Sequence, residues 1–316
     1  MVKKIFIEIP TWLGDAIMTT PAIENLIKQY PDAKIVMLGS FVSTQALGKM
    51  PNVEKVIVDN SKKNGNRYLN LIKLANDVGK VDLAISFRKS FSSKFMMFFI
   101  KASRKYSYKR FTKEEIHQAI RYNDFVNRSL ETNFLTNDLK LHFSPFEYKN
   151  KTMGINPGAT YGSAKRWYPK EFANVAIKMS KTHDIIIFGG PLETDIAGDI
   201  ENILKENGIS NYQNLSGKTT IPMLLEKIAG LDLFITNDSG PMHVAAAFKV
   251  PTITIFGPTK FTETNQWNNP NGVIITKGLE CSPCMKRACP LKHHDCMKLI
   301  TSIDVLEKIK EIEEKV

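Results

Sequence analysis

Thr236-Asn237-Asp238-Ser239-Gly240-Pro241-Met242-His243 has the residue types and order of an anion-binding turn. It follows the mostly apolar run Leu231–Ile235, which reads as a buried strand. It precedes Val244-Ala245-Ala246-Ala247-Phe248, whose small apolar side chains suit a tightly packed helix. Strand, turn and helix start in that order place first-turn N–H groups at the carboxyl end of a sheet. Ser239 suits an N-cap, Gly240 lets a ligand approach the backbone, and Pro241 fits the first helical turn. Unpaired N–H groups and the helix dipole then favour a phosphate. A capped connection that binds nothing accounts for the same residues.

Two further turns could share in that chemistry. Asn156-Pro157-Gly158-Ala159-Thr160-Tyr161-Gly162-Ser163-Ala164-Lys165-Arg166-Trp167 offers glycines and hydroxyls after a strand, then a basic pair. Lys165 could give phosphate oxygens a point charge and Thr160 a hydroxyl donor. Near the N-terminus, Pro10-Thr11-Trp12-Leu13-Gly14-Asp15 holds one glycine and is no dinucleotide fingerprint. Asp15 stands at a helix start, where a carboxylate complements the dipole, or could act as a general base. Ser216-Gly217-Lys218-Thr219 fails as a phosphate-binding Walker motif, because position 212 is Tyr212 rather than glycine. No two aspartates stand two residues apart, so a diphosphate clamped through a metal on Asp-x-Asp is not expected. Lys165, Thr160 and the helix start at Ser239-Gly240 must meet that charge instead, with no metal or cofactor required.

All four cysteines gather at Cys281, Cys284, Cys289 and Cys296, with His293 and His294 among them. The first pair has Cys-x-x-Cys spacing, and the group could hold zinc or an iron–sulfur cluster. The other spacings match no standard zinc module, and a reduced structural loop far from the inferred site is the expectation.

The elements that must position these residues read as two α/β halves. Apolar runs at Lys4–Ile9, Ile35–Leu38, Val56–Val58 and Leu83–Ile85 alternate with polar or helical segments, which predicts a parallel sheet covered by helices. A helical stretch from Asp15 should break at Pro21. Residues 142–151 are polar and breaker-rich and read as a linker. The pattern restarts with strands at Met153–Asn156, Ile185–Phe188, Leu233–Thr236 and Thr252–Phe256, and helices at Glu171–Met179 and Met223–Ala229. Two Rossmann-like domains, 1–150 and 151–316, are expected to face each other across a ligand cleft lined by the carboxyl ends of both sheets. A length of 316 residues suits two domains.

Net charge is +11, which implies an anionic partner. Much of the excess lies in the first half, in the run Lys101, Arg104, Lys105, Lys109, Arg110 and Lys113 beside the apolar Phe95–Ile100. No nucleic-acid signature accompanies it, so an anionic lipid or sugar ranks first. No apolar stretch reaches the ~18 residues of a membrane span, and no signal peptide is evident, which predicts a cytoplasmic protein.

Taken together, these segments resemble a lipopolysaccharide heptosyltransferase of glycosyltransferase family nine. The likeness rests on residues 11–15, on 156–159 through 165–167, and above all on 215–219 followed by 236–243. The cysteine block 281–296 looks like that of the subgroup adding the second heptose, heptosyltransferase II. The resemblance implies a GT-B fold, inverting transfer, and ADP-L-glycero-D-manno-heptose as donor. It implies an acceptor heptose already joined to Kdo and lipid A, at the cytoplasmic face of the inner membrane. By motif, Asp15 would deprotonate the acceptor hydroxyl. Thr160 and Lys165 would hold the diphosphate, Asp238 the heptose hydroxyls, and Ser239 and Gly240 would offer amides to phosphate. Glu193 would reach the adenosine ribose. Lys105, Lys109 and Arg110 would face the acceptor or the membrane.

Overall fold

The computed structural model of the chain describes residues 1–63 and 65–314. They divide into two compact units, Met1–His142 and Phe143–Val316. The first is built on strands β1 (Lys4–Glu8), β2 (Lys34–Gly39), β3 (Val53–Val58), β4 (Lys80–Ser86) and β5 (Lys101–Ser107). All pair in parallel, in the order β3-β2-β1-β4-β5. Helices α1 (Leu13–Met18), α2 (Thr20–Gln29), α3 (Phe41–Leu47), α4 (Arg67–Val78), α5 (Phe91–Phe99) and α6 (Gln118–Leu130) connect and cover them. The central strand is buried on both faces, which is why Ile5-Phe6-Ile7 reads as a continuous apolar run. On one face Phe6, Val36 and Ala84 pack against Leu71, Ala75 and Val78 of α4 and Met96 and Met97 of α5.

One expectation changes here. The helix that holds Asp15 begins at Leu13 and breaks at Thr19; Pro21 sits in the first turn of α2, where a missing N–H costs nothing. Of the apolar stretch 95–100, Met96, Met97 and Ile100 are buried while Phe98 is 78% exposed; Phe91, at the start of the same helix, is 71% exposed. Of the neighbouring basic run, Lys101, Arg104 and Lys105 lie on edge strand β5, where charge guards an open edge, and Lys109, Arg110 and Lys113 follow in the connection to α6.

The second unit has strands β6 (Thr152–Asn156), β7 (Asp184–Ile187), β8 (Tyr212–Asn214), β9 (Leu233–Asn237), β10 (Thr252–Ile255) and β11 (Gly272–Ile275). They pair in parallel as β11-β10-β9-β6-β7-β8. Its helices are α7 (Pro169–Met179), α8 (Thr194–Glu206), α9 (Ile221–Ala229), α10 (Gly240–Ala247), α11 (Phe261–Thr264), α12 (Asp295–Lys298) and α13 (Ser302–Glu313). Met153, Ile155, Ile185, Ile235 and Ile253 form one core with Trp167, Phe172 and Val305. The polar segment after His142 packs onto α9. Phe146 N donates to Glu226 O at 2.8 Å, and Tyr148 Oη donates to Lys227 O at 3.0 Å. Gly230 makes this possible, since a Cβ there would lie 1.9 Å from the Phe146 carbonyl oxygen.

Each sheet reverses its strand order once, between β1 and β4 in the first unit and between β6 and β9 in the second. Open parallel sheets bind ligands beyond the carboxyl ends of the strands at such a switch point.

Candidate active site

At the second unit's switch point, Asn156, the last residue of β6, pairs with Thr236, one residue before the end of β9. Asn156 Nδ2 lies 3.4 Å from Thr236 Oγ1, 3.3 Å from Ser239 Oγ and 3.3 Å from Gly158 O. Ser239 occupies the N-cap of α10 as expected, but its side chain does not cap the helix; that hydroxyl is drawn to Asn156 and Thr236 instead. Asn237 braces the two loops, donating to Pro157 O at 2.7 Å and accepting from Trp167 N at 3.0 Å.

The fold brings Lys165 and Asp238 into one ion pair, with Nζ 2.5 Å from Oδ2 and both side chains nearly buried. Thr259 Oγ1 donates to the same oxygen at 2.6 Å. Two residues read separately from sequence, one for phosphate and one for sugar, are thus a coupled pair. The charge of Lys165 is oriented by a carboxylate at the carboxyl edge of β9, beside the start of α10. Glu193 packs on the same exit loop: a Cβ at Gly158 would lie 2.0 Å from its carboxyl carbon, so a larger residue there would displace the Glu193 carboxylate. Its carboxylate accepts from Gly190 N at 2.8 Å. Thr160 is exposed in the turn before Lys165.

The cysteine block packs directly against that loop, contrary to its expected distance from the site. Ala164 N donates to Arg287 O at 3.1 Å, and Tyr161 Oη donates to Met285 O at 2.9 Å. Lys165 Nζ and the Arg287 guanidinium approach the Tyr161 ring, at 4.7 and 5.2 Å from its centre. All four cysteines line one small cavity with His293, His294, Pro258 and Ala164. Burial, reinforced by the other three sulfurs, pushes the Cys296 thiol up to about 11. Sequence reasoning missed Thr259, Asn156, Asn237, Tyr161 and Arg287. Thr259 had a signal, since it follows an apolar strand as Asp238 does.

In the first unit, Asp15 lies in the first turn of α1, half-buried. Burial pushes the Tyr122 hydroxyl well above its usual range, and the nearby Asp15 carboxylate adds to the shift. Asp15 acts in the same direction on Tyr108, whose ring lies 5.1 Å from that of Tyr122. Lys105 Nζ donates to Phe98 O at 2.9 Å, which joins the basic edge strand to the exposed aromatic end of α5. Lys109 approaches the Phe111 ring at 5.9 Å. Arg110 is turned onto its own loop, donating to the carbonyls of Thr112, Lys113 and Glu114.

Comparison with known proteins places this architecture. Residues 129–294 match the model of glycosyltransferase family 9 (heptosyltransferase). The chain is 44% identical over 317 positions to lipooligosaccharide heptosyltransferase 2 of Campylobacter jejuni subsp. jejuni serotype O:2, covering 98% of both chains. It is 25% identical to lipopolysaccharide heptosyltransferase 2 of Escherichia coli K12, over 81% of this chain and 83% of that one. Among solved structures it resembles E. coli ADP-heptose lps heptosyltransferase II, with TM-score 0.83, 22% identity and coverage of 99% and 100%. A family 9 glycosyl transferase from Veillonella parvula DSM 2008 matches with TM-score 0.84, 21% identity and coverage of 99% and 98%. The fold is therefore GT-B, two Rossmann-like units as the strand pattern predicted, and the chain belongs to glycosyltransferase family 9, the heptosyltransferases.

Proposed function

We propose that the protein transfers L-glycero-D-manno-heptose from its ADP-linked donor to the first heptose of a lipopolysaccharide inner core, with inversion. The observation that carries this reading is the Lys165–Asp238–Thr259 group at the second unit's switch point, in a chain of this family. A leaving nucleoside diphosphate needs positive charge and N–H donors where negative charge develops. Lys165, the Thr160 hydroxyl and the first-turn amides after Ser239 and Gly240 supply both, with no metal required. Asp238 orients Lys165 and offers its carboxylate to heptose hydroxyls, and Glu193 takes the ribose.

On this reading the first unit, Met1–His142, binds the acceptor, and the second, from Phe143 onward, binds the donor. Asp15 takes the acceptor hydroxyl proton as general base, so that the oxygen attacks the anomeric carbon as ADP departs. Lys105, Lys109 and Arg110, with exposed Phe91 and Phe98, turn the first unit toward an anionic membrane surface. The enzyme then acts as a peripheral protein on the cytoplasmic face of the inner membrane. The test is product formation and ADP release with ADP-heptose and a heptose–Kdo–lipid A acceptor, against UDP- and GDP-sugars. Turnover confined to ADP-heptose supports the reading; turnover of another nucleotide sugar alone contradicts it.

A further inference from the structure

The first unit's switch point holds a charged assembly that the proposed mechanism does not use. Its last β1–β4 rung pairs Glu8 with Ser86. Glu8 ends β1 after the apolar run Ile5-Phe6-Ile7 and is 1% exposed. Ser86 Oγ donates to its Oε2 at 2.5 Å, and the Ser93 hydroxyl donates to the same oxygen. Its other oxygen meets Arg88 Nη1 at 3.1 Å, and Asp59 Oδ2, just past β3, lies 3.4 Å from that same nitrogen. Ser86 also accepts from Arg88 N at 3.2 Å, and Asp59 Oδ1 accepts from Ser61 N at 3.0 Å. The backbone and the guanidinium of Arg88 are both fixed.

A buried carboxylate is costly, and one counter-ion would suffice to offset it. Here two carboxylates grip one nitrogen of one arginine. Both contacts fall on Nη1, so neither carboxylate takes the two-nitrogen grip whose geometry matches a carboxylate or phosphate. The Arg88 side chain keeps 15% exposure. The surrounding segments 59–63, 67 and 88–89 add Lys62, Lys63, Arg67 and Lys89 to Arg88, against the two acids Glu8 and Asp59. Arg67, at the start of α4, donates from Nη2 at 2.7 Å to Ser92 in the first turn of α5, beside Ser93 that binds Glu8. The place is where a parallel sheet binds ligands, on the strand that leads into the Asp15 turn.

We propose that Arg88 binds an anionic group of the acceptor, a sugar carboxylate or a phosphate, with Glu8 and Asp59 as the positioning residues that hold its guanidinium. This rests on the first unit's acceptor role. Arg88→Ala should raise the acceptor KM by roughly ten- to a hundredfold, the loss of one charge-assisted contact. The donor KM should stay within about twofold, as for a site touching one substrate. Arg88→Lys should restore part of the loss, while Glu8→Gln and Asp59→Asn should raise acceptor KM with Arg88 intact. Acceptors with the acidic sugar carboxylate reduced to an alcohol, or with phosphates removed, separate the two sources. Whichever change brings wild type to the Arg88→Ala value, without affecting that variant, marks the group. An Arg88→Ala deficit equal on every acceptor, or an unchanged acceptor KM in folded Arg88→Ala or Arg88→Lys protein, overturns the proposal. Wild type that transfers no heptose to the unmodified acceptor overturns the functional reading, and this proposal with it.

Discussion

The two sheets carry ion pairs at equivalent places, and the pairs differ in kind. In the second unit a lysine meets one aspartate, supported by a threonine hydroxyl, on a rung of neutral polar residues, Asn156 and Thr236. In the first an arginine meets two carboxylates, one sealed beneath the sheet end by two serines, on the rung Glu8–Ser86. Lysine is a compact charge on a flexible stem and can be shared between a carboxylate and a phosphate oxygen. Arginine held at one nitrogen is a fixed fork. The proposed roles would then put an adaptable cation where a leaving group changes charge, and a rigid one where a bound group does not.

The largest effect should come from the first unit's base, not from either pair. Asp15→Asn should lower turnover ~10²–10⁴-fold, the range for a positioned general base, with donor binding retained. Near-normal turnover of the folded variant would remove Asp15 from the chemistry. Next comes the second unit's pair. Lys165→Ala should weaken ADP binding by roughly tenfold or more through loss of a charge-assisted contact. Asp238→Asn should weaken it less. The double variant should cost less than the sum, because residues in contact couple. Strict additivity by calorimetry would mean that the two act separately.

The first unit's pair should show itself in pH. Burial raises the Glu8 carboxyl above its ordinary 4.5, against the opposing pull of Arg88, Ser86 and Ser93. The folded chain therefore holds that proton where the unfolded chain has lost it. The associated stability is present below 4.5 and lost as pH rises through the raised value. Asp59 runs the other way: desolvation opposes it, but hydrogen bonds from Ser61 and the charge of Arg88 lower it below 3.8. Its contribution is lost as pH falls through that lowered value. Measured by denaturant unfolding, wild type should lose stability relative to Glu8→Gln as pH rises from 4.5; a pH-independent difference would contradict the assignment.

The smallest effect is at the surface. Lys105 and Lys109 near an anionic bilayer are worth about 1 kcal/mol each. Replacing both with serine, together with Phe91→Ser and Phe98→Ser, should weaken binding to anionic vesicles at low salt. It should leave donor affinity unchanged. Unaltered vesicle binding would mark these residues as ordinary solvated surface.

The sequence was legible where burial enforces a pattern. The central strands carry apolar runs because both faces are covered, and residues 236–243 show the strand-to-helix order directly. Edge strands were less legible. Val56–Val58 marked β3 and β11 holds the unassigned run Val273-Ile274-Ile275, but β5 carries Lys101, Arg104 and Lys105 and β8 is three residues, so neither of these shows an apolar run. Lys165 and Asp238 were found one by one, but their pairing spans 73 residues and follows from the β6–β9 crossing. Glu8 did leave a signal, an acid closing an apolar strand, which can be buried only with a partner. The contact between the cysteine block and the Lys165 loop had no such signal, because it depends on how segments after β10 return over β6.

The central claim is metal-independent transfer of one heptose from the ADP-linked donor, with its leaving group met by Lys165. Mass spectrometry of a defined heptose–Kdo–lipid A acceptor, incubated with enzyme and ADP-heptose in excess EDTA, tests it most directly. The acceptor should gain one heptose, with one ADP released per transfer, and Lys165→Ala should slow both together. An acceptor of unchanged mass, or transfer that returns only when a divalent ion is restored, would contradict it.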